Sequence, residues 1–289
     1  MVKYIAAVSG GVDSVVLLDM LVKGQLSTDN SQLVVAHFDH GIREESAADS
    51  QFVEELAARY GLPFETRREE LGPNASEERA RERRYAFLRD VATKCGATIV
   101  TAHHADDVIE TIAINLTRGT GWRGLAVLDS LDIWRPLLDK TKEELTDYAK
   151  QHDLAWREDA TNQDTKYLRN DLRQRLEQLD EPTRRMLRLY RDRQVALRGE
   201  VDREVAPLVT PPPYRRHEFI VMNELAAQEL LRAVLVVETG ASPTRPQLTR
   251  ALHAIKVLHA GKVFRVGDGV SLRFTKTHFV VETEGKVIS

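Results

Sequence analysis

Short apolar runs of β type alternate with longer helical patterns through the first half of this chain, and that alternation constrains the fold more than any single motif. Ile5-Ala6-Ala7-Val8, Leu33 to His37, Phe64 to Arg67 and Ala97 to Thr101 read as strands, while 14–24, 46–60, 75–95 and 105–117 carry helical periodicity. Strand, helix, strand at this spacing predicts right-handed βαβ units and a parallel, doubly wound α/β sheet. Sheets of that kind bind ligands at the carboxyl ends of their strands. The informative motifs fall there.

The second half reads differently. Helical patterns at 143–151, 167–178 and 182–204 lead to Pro207-Leu208-Val209-Thr210-Pro211-Pro212-Pro213, too rich in proline for a helix or a central strand and so expected to be a stiff linker. Beyond it come a predicted strand from Phe219 to Met222, helices over 223–238 and 244–259, and β-type runs over 262–265, 270–274 and 278–281. The expected organisation is therefore a doubly wound α/β domain over 1–180, a basic linking helix over 181–205, and a smaller C-terminal α+β domain over 206–289.

A length of 289 residues suits about two domains, and 42% hydrophobic with 29% charged residues is a globular composition. No apolar run approaches the roughly 20 residues that cross a bilayer, and the start is too short for a signal peptide, which predicts a cytoplasmic protein that makes no membrane contact. Cys95 is the lone cysteine, so an internal disulfide, a CxxC pair and a cysteine-built zinc site are excluded. Charge is uneven. Residues 1–165 hold 19 Lys+Arg against 29 Asp+Glu, a net of −10; residues 166–289 hold 22 against 15, a net of +7; together these make the −3 of the whole chain. A basic half suggests docking of a polyanion, with affinity that falls steeply with salt. Arg184, Arg188 and Arg191 are the expected polyanion contacts in its densest part, although Glu/Arg pairs solvating a surface helix read equally well.

Ser9-Gly10-Gly11-Val12-Asp13-Ser14 lies between the first strand and a helix. Adjacent glycines let successive N–H groups turn inward, and Ser9, Ser14 and the helix N-terminus add donors, so the loop is expected to hold a phosphate chain. It lacks the Lys-Ser or Lys-Thr of a Walker A loop. Asp13 inside an anion-binding loop implies a cation, most simply magnesium. His37, at the end of the second strand with His40 and Arg43 following, points at the same sheet edge, or is a satisfied core histidine. Glu77, Arg81 and Arg84 share a helical face that Asn74 can cap; alone they read as a surface ion-pair ladder. His103-His104-Ala105-Asp106-Asp107 follows the fourth strand. If its helix begins by Ala102, His103 and Asp107 share a face, and magnesium beside an acid/base histidine is a better reading than zinc. Arg118-Gly119-Thr120-Gly121 ends that helix as a C-cap or as a substrate-facing loop.

The first of these strings resembles the loop of the N-type ATP pyrophosphatases, which cut ATP between its α and β phosphates. The ordered set adds Arg135-Pro136-Leu137-Leu138, Trp156-Arg157-Glu158-Asp159 and Tyr167-Leu168-Arg169-Asn170 with Arg173. Over about the first 175 residues it resembles the bacterial tRNA(Ile)-lysidine synthases. That resemblance implies ATP and Mg2+ as cofactors, and L-lysine and isoleucine tRNA with a CAU anticodon as partners, with a homodimer left open. It also implies roles, with 1–180 the catalytic domain and 206–289 a small tRNA-binding domain. Ser9 to Ser14 and His37 would bind nucleotide, and Asp13 and Asp107 the metal. Asp13, His103 and Asp107 would be catalytic. His40, Arg43, Glu77, Arg81, Arg84, Arg118, Arg169, Asn170 and Arg173 would contact tRNA or lysine. Sulfur-inserting tRNA thiolases share the loop but ordinarily need cysteines. A nucleotide-gated RNA-binding protein without catalysis is the rival from another class, and it has no need of both aspartate pairs.

Overall fold

A computed structural model of the chain describes residues 3–26, 32–41, 46–72, 75–157, 172, 175–176, 178–267 and 269–283. Contacts divide it into two compact units, Met1–Arg118 with Ala126–Arg191, and Gly119–Leu125 with Asp192–Ser289. The division falls at Arg191/Asp192, inside a long helix, rather than at the prolines.

The first unit is a five-stranded, wholly parallel sheet. Its strands are β1 (Lys3–Ala7), β2 (Leu33–Asp39), β3 (Phe64–Arg68), β4 (Ala97–Val100) and β5 (Ile133–Trp134), in the order β3-β2-β1-β4-β5. Helices α1 (Val12–Val22), α2 (Ser46–Arg59), α3 (Glu77–Cys95), α4 (Ala105–Thr117) and α5 (Lys142–Gln151) connect or follow them, and α6 (Glu181–Val205) comes next. The pleat sends alternate residues to opposite faces. Ala6, Leu33, Val35 and Val100 enter one core with Val15, Leu18 and Leu21 of α1, Val53 and Leu56 of α2, and Leu145 and Ala149 of α5. Ile5, Ala36, Phe38 and Ile99 enter the other, with Tyr85, Leu88 and Val91 of α3. Both faces are covered, as a parallel sheet requires. β5 is two residues long, too short for any periodicity to announce it.

The second unit is a four-stranded antiparallel sheet, in the order β6-β9-β8-β7, of β6 (Tyr214–Arg215), β7 (Val263–Gly267), β8 (Val270–Phe274) and β9 (His278–Thr283). It packs with α7 (Arg216–Val221), α8 (Glu224–Thr239) and α9 (Arg245–Val257) around Phe219, Leu231, Leu252, Phe274 and Phe279. The predicted strand at Phe219–Met222 is thus a correction, because residues 216–221 form a helix. The β-branched run there suggested extension, but only Phe219 of it is buried, set edge-on to Phe279 at 5.3 Å, while Ile220 and Val221 face out. Packing at one position overrides β propensity. The proline-rich stretch belongs to this unit as well, since Val205 and Val209 pack against its core. Among the described residues, no helix is long and apolar enough to cross a membrane.

Candidate active site

In the strand order β3-β2-β1-β4-β5, connections from β1 and β4 leave in opposite directions, which opens a crevice at the carboxyl ends of those two strands. The loop after β1 and the segment after β4 both end there. Gly10 takes φ +94°, the left-handed region, and a Cβ on it would meet Phe52 Cδ1 at 3.4 Å, so glycine suits the position on both counts. Ser14 ties the turn together. Its hydroxyl donates to the Gly11 carbonyl at 2.8 Å and accepts from the Ser9 and Gly10 amides at 3.2 Å. Gly11 caps α1 without a side chain, and the Val12 and Asp13 amides that follow have no intrahelical acceptor. Arg157 closes over the loop, its amide donating to the Gly10 carbonyl at 2.9 Å and its Nε to Asp49 at 2.8 Å.

Facing this loop is the start of α4. His104, not an earlier residue, is the N-cap: its side chain accepts from the Asp106 amide, and Asp107 Oδ2 accepts from the His104 amide at 3.0 Å, a capping box. The expectation that the helix begins by Ala102 is therefore corrected. His103 precedes the helix and does not share a face with Asp107. The buried His104 ring sits among carboxylates, with Nε2 at 3.5 Å from Asp107 and 3.8 Å from Asp13, and Nδ1 at 3.4 Å from Asp106. Burial lowers its pKa, but the Asp106 contact and the charges of Asp107 and Asp13 outweigh that, and the net shift is upward. Burial likewise opposes ionisation of Asp106, yet His104, the Lys142 amide and Arg184 hold it well below the usual carboxylate range.

Sequence reasoning missed Lys142. Thr141 and Glu144 form a capping box that starts α5 at Lys142, and the Lys142 amide donates to Asp106 Oδ2 at 2.8 Å. Its Nζ donates to both oxygens of Asp13, at 2.7 and 2.8 Å. Thr141-Lys142-Glu143-Glu144 announces a helix start, but nothing local says which carboxylate Lys142 meets. Arg184, expected to meet a polyanion, donates from its guanidinium to Asp106 at 2.5 Å and to the Leu176 and Leu179 carbonyls. Arg191 donates to the Val127 and Leu128 carbonyls, and Arg188 to Glu181. These three arginines are taken up by protein groups.

The carboxylates of Asp13 and Asp107 converge on one imidazole, and a cation already lies between the oxygens of Asp13, so the donors suit a hard cation. Among the described residues, no group of three or more His, Cys, Asp or Glu side chains could hold a metal by themselves. Such a set fits magnesium, which takes the rest of its shell from water and phosphate.

His103 lies within electrostatic reach of Asp107 and of basic residues. Its Nδ1 lies 2.7 Å from Thr101 Oγ1. Burial lowers its pKa against the pull of Asp107, and Arg135, Arg81 and Arg84 lower it further, down to about 3. The structure thus brings Arg81 and Arg84 electrostatically to His103, with both guanidiniums also over the Tyr85 ring. Ser76, not Asn74, caps their helix, accepting from the Arg79 amide. His37 is buried on β2 with Nδ1 2.8 Å from the Val8 carbonyl, and burial lowers its pKa. His40 follows β2, its carbonyl accepting from Leu71. Arg118 caps the far end of α4, about 20 Å from His104 at 1.5 Å per residue, and is not brought to the cluster. Arg43, Arg169, Asn170 and Arg173 lie outside the described residues, as does the side chain of Glu77.

A tRNA(Ile)-lysidine synthase of Geobacter sulfurreducens is 42% identical over 186 residues, covering 60% of this chain and 39% of that protein. One from Thermus thermophilus is 41% identical over 249 residues, covering 82% and 47%. The chain thus spans less than half the length of either relative. Among solved structures, a U34-tRNA thiolase from Methanococcus maripaludis with its [4Fe-4S] cluster superposes with a TM-score of 0.57 at 19% identity, covering 68% of this chain and 73% of that one, a likeness of fold. Residues 2–179 match the PP-loop domain. The chain belongs to the PP-loop family.

Proposed function

We propose that this chain catalyses ATP-dependent attachment of L-lysine to C2 of the wobble cytidine in an isoleucine tRNA. The observation that carries the reading is the meeting of the glycine loop with Asp13, His104 and Asp107 at one crevice, in a chain about 40% identical to named lysidine synthases. A cytosine C2 oxygen leaves poorly, so it is first made a phosphate ester. The oxygen attacks the α-phosphorus of ATP, the bond to the α–β bridging oxygen breaks, and pyrophosphate departs with the electron pair. An amine of lysine then attacks C2, the C2–O bond breaks, AMP leaves, and the amine gives up a proton.

The loop amides at the head of α1 hold the departing pyrophosphate. Asp13 and Asp107 would hold magnesium, which would offset phosphate charge when bound. Burial and the charges of Arg135, Arg81 and Arg84 favour the neutral form of His103. We assign the tautomer that donates Nδ1–H to Thr101, which leaves Nε2 to take the proton that the amine loses once it has added to C2, and Arg81 and Arg84 supply positive charge for substrate anions. In the thiolase alternative a cysteine has to reach the crevice. Cys95 ends α3, before the amino end of β4, whereas the crevice lies at β4's carboxyl end.

The test is incubation with ATP, labelled lysine and unmodified tRNA. Label enters the RNA if the reading is right, and unlabelled RNA overturns it. Within that assay, His103→Gln lowers lysine transfer by about 10²-fold while tRNA-dependent ATP/pyrophosphate exchange survives. Equal loss of both removes His103 from the second step.

A further inference from the structure

We propose that Lys142 is the exchangeable cation of the nucleotide site: it neutralises Asp13 while the site is empty, then transfers its ammonium to the β- and γ-phosphate oxygens, leaving Asp13 to a divalent cation. The proposal rests on reading the loop as a nucleotide site. It does not depend on which base or amine reacts.

Three features of the lysine carry the inference. Its base is fixed. The Lys142 amide is held by Asp106, the preceding Thr141 is locked by the capping box with Glu144, and α5 packs on α1 through the fully buried Leu145 and Ala149. Tyr148, further along the same helix, donates to Asp19 of α1 at 2.8 Å, so the two helices are tied at both ends of their contact. Its arm is free: the side chain is 49% exposed, against 28% for Asp13. An ion pair that open to water is weak enough to exchange. Its charge, finally, is uncommitted elsewhere. Asp106 is met by Arg184 and His104, whereas among the described residues both hydrogen bonds of the ammonium go to Asp13.

An incoming triphosphate changes this balance. The carboxylate of Asp13, in the first turn of α1, repels phosphate oxygens that approach the same helix end. Phosphate oxygens carry more charge than one carboxylate and compete for the three ammonium donors. A lysine on a pinned backbone reaches from one to the other by rotating its four-carbon stem. Its charge then lies where negative charge accumulates as pyrophosphate leaves.

The experiment uses the whole chain, free of nucleotide, tRNA and lysine. Mn2+ binding is followed by paramagnetic resonance and metal-free pyrophosphate binding by calorimetry, for the wild type and for Lys142→Ala, Lys142→Met and Lys142→Arg. Removing the ammonium in Lys142→Ala or Lys142→Met is expected to tighten Mn2+ binding and weaken pyrophosphate binding, each by about tenfold, or about 1.4 kcal/mol. Lys142→Arg keeps pyrophosphate affinity within about threefold, or about 0.65 kcal/mol. Wild-type binding of both probes by either neutral variant overturns the proposal. So does weakening of both together, which marks Lys142 as a support of the loop. Thermal unfolding selects which neutral variant is read. Because neither probe involves RNA or lysine, these results stand if lysine transfer is never found, and fail independently of it.

Discussion

Both units bury charge, but they settle it in opposite ways. In the second unit, Arg216 is almost fully enclosed and its guanidinium is satisfied by the carbonyls of Ile255, Leu258 and Thr275, beneath which it lies over the Phe274 ring. Arg123 and Arg232 likewise share Asp202 and Glu229. Every partner there belongs to the same unit, and each group has more than one partner, so none is left waiting for a ligand. At the crevice of the first unit, three carboxylates crowd one histidine, and one of them is balanced by a half-exposed lysine. Saturated charge holds a fold. Charge left with an exchangeable partner is available to a ligand.

That contrast is sharpest in Asp13→Asn. Removing the carboxylate relieves repulsion with Asp107 and releases a solvated lysine, so the urea midpoint of unfolding stays where it is. ATP/pyrophosphate exchange, by contrast, drops about 10²- to 10³-fold, the size of a lost transition-state electrostatic contact. A variant that unfolds early would mean Asp13 serves the fold. Arg216→Met makes the reverse case. Four hydrogen bonds to carbonyls are lost in a buried place, which costs roughly 3 kcal/mol of stability in the second unit by denaturant unfolding. Pyrophosphate binding is expected to be unchanged. If it falls in step with stability, the two units do not divide their labour in this way.

Much of the first unit was legible because its signals are local. Alternation of apolar runs with helical periods predicts the parallel sheet, and Ser9 to Ser14 fixes where the loop lies on it. What escaped depends on contacts distant in sequence. Lys142 meets Asp13 across 129 positions and Arg184 meets Asp106 across 78. No periodicity encodes either pairing. The helix start after β4 was misplaced because a histidine, less usual than Ser, Thr, Asp or Asn, serves as its cap. In the second unit, the strand expected at Phe219 failed because one buried aromatic ring, rather than an alternating face, decides the conformation. Arg184, Arg188 and Arg191 of α6 meet protein groups that a charge count does not reveal, since it sees composition and not where guanidiniums point.

His37 tests the same contrast on a smaller scale, because sequence left it between core and site. Its Nδ1 shares a proton with the Val8 carbonyl just before the loop, and burial holds its pKa below the ordinary 6.5 despite the attraction of Asp39 and Asp49. A depressed folded-state pKa means that the unfolded chain takes the proton first. The stability is therefore present above pH 6.5 and is lost as pH falls toward the folded value. Asn in place of His37 keeps a donor near Nδ1 and does not titrate. Unfolding free energies of the wild type and His37→Asn should run parallel above neutrality. Below pH 6.5 the wild type should fall faster until its native imidazole is protonated too. Curves that stay parallel throughout would mean the ring is open to solvent at the crevice, and His37 would then belong with the exchangeable groups around Asp13 rather than with saturated ones such as Arg216.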